Sequence, residues 1–275
     1  MTLFVSVLLA VFGVSLGSFL SVLTHRTKHK KKGTFFGRSM CPHCKKTLKW
    51  NHLVPVISYL ALRGKCAYCG KRISKHYFAI EFFTGALMVL IFLNWNFVNA
   101  IPSSINPDIW NYSIDWKIFE YFIFYALEGI FLSAIFFYDL LYKEIPDRFS
   151  IPAIVLALLG ILTLGEPSYM GAGIGVGIIA VFFGGQIVLS KGQWLGGGDL
   201  RLGVLMALLL GTERLILALV LSYLIGALIA IPLLIAGKAN RKTALPFGPL
   251  LIAGLLIALF AGNQLIDLYL LLLLG

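Results

Sequence analysis

Long apolar runs separated by short polar breaks fill most of this chain. The runs Leu3–Leu23, Phe78–Phe97, Phe119–Leu141, Ile151–Leu164, Gly171–Leu189, Val204–Leu210, Leu215–Ala236 and Pro249–Leu274 approach or exceed the roughly 20 residues a helix needs to cross the hydrocarbon of a bilayer. The shorter ones begin inside polar flanks. The pattern predicts an all-α polytopic membrane protein with about eight transmembrane helices; the sixth, after Asp199, and the end of the eighth are the least sharply bounded. The first run lacks a basic segment before it and a small-x-small cleavage pattern after it, so it reads as a membrane helix rather than a secretory signal.

The polar segments are unequal. Residues 25–77 form the only long one, opened by the tract His25-Arg26-Thr27-Lys28-His29-Lys30-Lys31-Lys32, and Phe97–Lys117 is a second, poor in positive charge and carrying Pro102, Pro107, Asp108 and Asp115. This divides the chain into a first helix at 1–24, a polar insert at 25–77 and a helical bundle at 78–275. The second stretch fits an external loop, with Trp95, Trp110, Tyr112 and Trp116 suited to a membrane interface. Small residues at Gly171, Gly173, Gly175 and Gly177, with Gly184-Gly185, predict close helix packing.

With 59% hydrophobic and 13% charged residues, the composition excludes an ordinary soluble domain. Of the 23 Lys and Arg residues, all but Lys117 and Arg214 fall in segments 25–77, 142–148, 190–201 and 237–242. About eight crossings put those four segments on one side. The positive-inside rule makes that side the cytoplasm and leaves the N-terminus outside. The net charge of +11 is then orientation charge with some attraction to anionic membrane lipids, and no nucleic-acid partner is expected.

All four cysteines lie in the insert, as Cys41-Pro42-His43-Cys44 and Cys66-Ala67-Tyr68-Cys69-Gly70. Two C-x-x-C turns can close a tetrahedral zinc site of four sulfurs. A reducing cytoplasm disfavours structural disulfides. Lys45, Lys46, Lys65, Lys71 and Arg72 would offset the negative charge of such a cluster, and Gly70 suits a knuckle bending amides toward sulfur. Cys41, Cys44, Cys66 and Cys69 are therefore the predicted ligands, with His43 a surface residue. A shell of four thiolates leaves no open position for water, so the metal has a structural role, stabilising a small insert that lacks a large core.

Ionisable residues in membrane helices are costly and mark function by default. Asp139 follows Phe136-Phe137-Tyr138, and Asp199 follows Gly196-Gly197-Gly198. Both fall near the cytoplasmic face. Two carboxylates meeting there with little solvent cannot both ionise cheaply, so one keeps a proton; such a pair can activate water against a peptide carbonyl. The glycines would let an extended substrate approach the backbone. Glu144 and Asp147 compete for these roles, although Asp147 is placed to cap a helix beginning near Phe149. Glu81, early in the second crossing, could pair with a basic residue or line another site. The same acids would suit a proton-coupled transporter, but that function calls for acids through the depth of the bundle rather than near its ends.

Taken together, Leu16-Gly17-Ser18-Phe19-Leu20, the two cysteine turns, Ile57-Ser58-Tyr59, Gly64-Lys65, Tyr138-Asp139, Ile145-Pro146-Asp147 and Gly196-Gly197-Gly198-Asp199 resemble the bacterial type IV prepilin peptidases, membrane aspartyl proteases with a G-x-G-D motif. The resemblance covers nearly the whole chain. It implies Asp139 and Asp199 as catalytic pair, with Gly196, Gly198 and Arg201 supporting the site. It implies prepilins and pilin-like proteins as substrates, cut on the cytoplasmic side of the bacterial cell membrane after a glycine that ends a short basic leader. Members with the four-cysteine insert also N-methylate the new terminus using S-adenosylmethionine. Ser21, Arg201 and His76-Tyr77-Phe78 depart from the commoner pattern. Arg201 preserves charge; the others flank the insert and bear on methylation. No residue is predicted to bind the methyl donor, because the glycine-rich runs lack a preceding strand.

Overall fold

In the computed structural model the described residues are 1–28, 39–41, 43–102, 110–237 and 245–274. The tract from His29 to Lys32, Pro42, Pro107, Asp108, Lys238, Arg241 and Lys242 lie outside them. By its contacts the chain divides into two compact units, Met1–Ala134 and Ile135–Gly275.

In the first unit, helices α1 (Thr2–Lys28) and α3 (Lys75–Asn94) cross at backbone contact. A Cβ on Gly17 would stand 2.7 Å from Glu81 Cα, and one on Gly13 2.9 Å from Gly85 Cα. Lipid supplies no hydrophobic drive for helix pairing, so this closeness, which only glycine permits, supplies the attraction through van der Waals contact. Between them the insert forms a 3-10 turn at Trp50–His52 and a short helix α2 (Ile57–Ala61). Ser74 caps α3, its side chain accepting from the His76 amide at 3.4 Å.

Beyond α3 the second polar stretch holds two antiparallel strands, β1 (Val98–Pro102) and β2 (Trp110–Ile114), with Val98 opposite Ile114. This hairpin is an addition to the otherwise all-helical expectation. Helix α4 (Trp116–Tyr142) starts where the Asp115 carboxylate accepts from the Ile118 amide at 3.1 Å. Trp95 stacks on Tyr125 at 4.1 Å between ring centres, in keeping with an aromatic belt.

The second unit holds the end of α4, then α5 (Asp147–Leu164), α6 (Tyr169–Ser190), α7 (Gly197–Ile235) and α8 (Gly248–Leu274). Ser168 caps α6 by accepting from the Gly171 amide at 3.1 Å. Among the described residues seven helices, α1 and α3 to α8, are long and apolar enough to span a membrane, one fewer than the apolar runs suggested. The difference lies in α7. At Gly211 the backbone turns to φ 69, ψ −175, a region essentially confined to glycine. A Cβ on Gly175 of α6 would touch both Ala207 and Leu215, each at 3.2 Å. Farther along α6, Ile179 and Phe183 meet Gly203 while Phe182 meets Tyr223. The two arms of α7, 197–210 and 212–235, therefore run antiparallel along α6, and the two apolar runs of the sequence are two passes joined by a reversal.

The glycines of α6 divide accordingly. Gly175 packs closely, whereas a Cβ on Gly173, Gly177, Gly184 or Gly185 would meet nothing within 4 Å. At one end of the unit the turn after α4, the start of α7 and the start of α8 come together; at the other, Pro167 meets Gly211 and Arg214 meets Gly262.

Candidate active site and metal centre

Asp139 stands in the last turn of α4 and is buried, 5% exposed. The chain leaves that helix through Lys143 at φ 55, with the Lys143 amide still bonded to the Asp139 carbonyl at 2.8 Å. The carboxylate reaches the start of α8, where Oδ2 accepts from the Gly248 amide at 2.9 Å. Position 248 has no room for a side chain: a Cβ would lie 2.8 Å from that oxygen and 3.3 Å from Ile145 Cδ1. Sequence reasoning missed Gly248. The only local signal was Pro246-Phe247-Gly248-Pro249 at a helix start.

Asp199 sits in the first turn of α7, half-buried. Its Oδ2 accepts from the Gly196 amide at 3.1 Å, and its own amide donates to the Gly196 carbonyl at 3.1 Å. A helix N-terminus favours negative charge, so both carboxylates rest on such ends, Asp199 on α7 and Asp139 on α8. Gly198 would drive a Cβ to 2.8 Å from Ile145 Cβ. Ile145 is thus wedged between the backbone bearing Asp199 and the amide holding Asp139. The two acids are thereby brought to the same end of the unit, on either side of Ile145. Of the three glycines before Asp199, only Gly198 is sterically required. A Cβ on Gly197 would meet nothing within 4 Å, and one on Gly196 only Asp199 Oδ2 at 3.6 Å and the Gly198 nitrogen at 3.9 Å.

Asp147 does not cap α5. Pro146 occupies the cap position and makes no side-chain bond, while the Asp147 carboxylate forms an ion pair with Arg201. That pair ties the start of α5 to α7, two residues beyond Asp199. Glu144 is exposed. Glu81, in the first unit, pairs with no basic residue among the described residues; its Oε2 accepts from the Val56 amide at 2.7 Å. Glu128 departs from the expectation that acids lie near helix ends. It is 1% exposed in the middle of α4, and neither carboxylate oxygen has a hydrogen-bond partner among the described residues.

The cysteines form the second centre. The ligand atoms of Cys41, Cys44, Cys66 and Cys69 all lie within 4.8 Å of one another, and all four are free thiols. Cys41 Sγ and Cys69 Sγ are 3.9 Å apart, close to the edge of about 3.8 Å for a tetrahedron with bonds of about 2.3 Å. The two turns are built alike. The Lys45 amide donates to the Cys41 carbonyl and the Gly70 amide to the Cys66 carbonyl, each at 2.9 Å, with Lys45 at φ 55 and Gly70 at φ 67. Short bridges Met40 to Thr47 and Lys65 to Arg72 close each knuckle.

The thiols differ in acidity. The Tyr68 amide, ahead of that of Cys69, holds the Cys66 thiol down to about 6. For Cys69 the Lys71 amide pulls downward, but burial and the three neighbouring thiols outweigh it and push the group up to about 11. Four thiolates this close repel one another unless a cation sits among them, and the geometry and donor set fit a thiophilic metal ion. His43 is exposed and is not one of the clustered ligands.

Comparison with known proteins matches residues 11–95 to the Bacterial Peptidase A24 N-terminal domain and residues 126–231 to the Type IV leader peptidase family. Among similar proteins is one from Bacillus subtilis (strain 168), 29% identical over 272 residues, covering 98% of this chain and 99% of the relative. Another from Xanthomonas campestris pv. campestris is 29% identical over 228 residues, covering 81% of this chain and 72% of the relative. A third from Stutzerimonas stutzeri is 27% identical over 287 residues, covering 94% and 92%. All three bear the name prepilin leader peptidase/N-methyltransferase. No solved structure matches the chain.

Proposed function

Because this chain belongs to the type IV leader peptidase family, we propose that it is a membrane aspartyl endopeptidase that removes the short basic leader of type IV prepilins and pilin-like proteins after a glycine. Asp139 and Asp199 are the catalytic pair in this reading. The observation that carries it is their convergence at one end of the second unit, each accepting a glycine amide, with Ile145 wedged between the two backbones.

Two carboxylates meeting with little solvent share one proton. The charged one takes a proton from water as the water oxygen bonds to the scissile carbonyl carbon. The protonated partner donates to the developing oxyanion. Collapse of the tetrahedral intermediate breaks the C–N bond; the leaving amine takes the proton gained from water, and the carboxylate that protonated the oxyanion recovers its proton. Glycine amides at 196 and 248 hold the acids in place, Gly198 and Gly248 admit Ile145 between them, and Arg201 anchors the α7 turn through Asp147. Residues 78–275 form the peptidase bundle and 25–77 the insert. The positive-inside distribution of Lys and Arg orients the catalytic end and the insert to the cytoplasmic face of a bacterial cell membrane, with the N-terminus outside.

The four-cysteine cluster holds structural zinc. The name borne by the relatives extends the activity to N-methylation of the new terminus, for which S-adenosylmethionine supplies the methyl group. No residue is assigned to that donor: Gly171, Gly173, Gly175 and Gly177 lie inside α6 rather than in a strand-to-helix loop. A second reading, peptidase alone with the insert purely structural, is favoured by the saturated thiol shell. Mass spectrometry of a co-expressed prepilin separates the two through cleavage position and added methyl. Asp139→Asn and Asp199→Asn should each abolish leader removal while the protein still inserts, and full cleavage by either variant would sink the mechanism.

A further inference from the structure

The insert presents an apolar surface at an unexpected depth. Trp50, Ile57 and Leu60 are 81%, 65% and 60% exposed, yet α2 does not stand clear in solvent. The Glu81 carboxylate, about 9 Å inside α3 at 1.5 Å per residue, accepts the Val56 amide at the start of α2. Tyr59 of α2 packs its ring 5.4 Å from that of Phe78. Helix α2 is therefore laid against the first two turns of a membrane helix. Val56 itself is held at φ 62, ψ −54, an outlying backbone for a β-branched residue, so the Glu81 bond maintains a conformation the chain would not choose alone. At this level exposed aliphatic side chains meet lipid head groups and upper acyl chains rather than bulk water.

Charge identifies the partner. Exposed Lys49 and Arg63 flank the apolar residues, with Lys45, Lys46 and Lys65 nearby. No Asp or Glu precedes Glu81 in the chain, and Glu81 is occupied by the Val56 amide. We propose that residues 49–63 form an interfacial anchor, burying Trp50, Ile57 and Leu60 at the membrane surface while the flanking cations bind anionic lipid head groups. Apolar burial combined with cation attraction is the chemistry of helices that lie in an interface. A basic prepilin leader, the rival occupant under the proposed function, is repelled by the same charges.

The test uses the full chain in nanodiscs of phosphatidylcholine, with and without phosphatidylglycerol. Subtracting the emission of Trp50→Phe isolates Trp50. Its emission should be quenched by lipids brominated near the glycerol end of the acyl chain, at least about twofold more with phosphatidylglycerol present, and spared by aqueous acrylamide. A Lys49→Ser/Arg63→Ser double variant should lose the phosphatidylglycerol increment while keeping its zinc. Quenching by acrylamide with indifference to brominated lipid would overturn the proposal. So would protection of Trp50 appearing only when a prepilin is added, which would assign the surface to substrate. None of these measurements reads peptidase activity, so their failure leaves the proposed function standing, and an inactive pair of aspartates leaves the anchor standing.

Discussion

Replacing Gly248 by Ala tests the arrangement of the aspartates directly. The added Cβ would lie 2.8 Å from Asp139 Oδ2, 3.2 Å from its carboxyl carbon and 3.3 Å from Ile145 Cδ1. Relaxed carbon–oxygen contacts lie at about 3.3–3.6 Å, so the carboxylate must retreat by about 0.5 Å or more. Ile145 cannot yield instead, because the Gly198 backbone presses on its other side. The retreat loses the amide bond from Gly248, a charge-assisted hydrogen bond contributing about 1.5–3 kcal/mol. At about 1.4 kcal/mol per tenfold, kcat for leader removal should fall about 10- to 100-fold. KM should change little, since the substrate does not contact position 248 through this bond. The assay is cleavage of a purified prepilin by solubilised enzyme, followed by gel shift at varied substrate. Gly196→Ala provides the contrast, because its Cβ meets nothing closer than 3.6 Å; it should insert normally and be the less impaired variant. A Gly248→Ala enzyme with kcat within about twofold of the parent would refute the geometry.

Gly211→Ala forces a side chain into a glycine-only backbone and to 2.9 Å from Pro167 Cβ, so it should destabilise the protein by about 1–3 kcal/mol or more, read as a lower thermal midpoint in detergent. Metal binding by Cys41, Cys44, Cys66 and Cys69 needs their thiolates and so competes with protonation of the sulfurs. The proposed zinc should therefore stay bound near neutrality and be released on acidification, followed with a chromophoric chelator. Arg201 and Asp147 are 36% and 63% exposed, so a double-mutant cycle with Arg201→Ala and Asp147→Ala on stability should give a coupling of about 1 kcal/mol or less.

Much of this molecule could be read from local pattern. Run length revealed the membrane passes, and it even separated the two arms of α7 on either side of the reversal at Gly211. Spacing revealed the cysteine turns, because a C-x-x-C knuckle is closed by bonds over a few residues, such as Lys45 to Cys41. Asp139 and Asp199 stood out because charge is rare in apolar helices. Asp147 was misjudged as a cap, since its position in sequence suited one and its partner Arg201 lies two helices away. Glu128 was passed over although it sits amid an apolar run, where its isolation was the available signal.

By itself, then, the sequence determined the membrane class, the pairing of four cysteines in two turns and the rarity of two acids in apolar helices, all properties of composition and short-range spacing. Tertiary structure decided which groups those acids meet. The Gly248 amide lies 109 residues from Asp139, and nothing short-range in either segment specifies that meeting. It arises because α8 packs against the returning arm of α7, an arrangement set by where glycines let backbones touch.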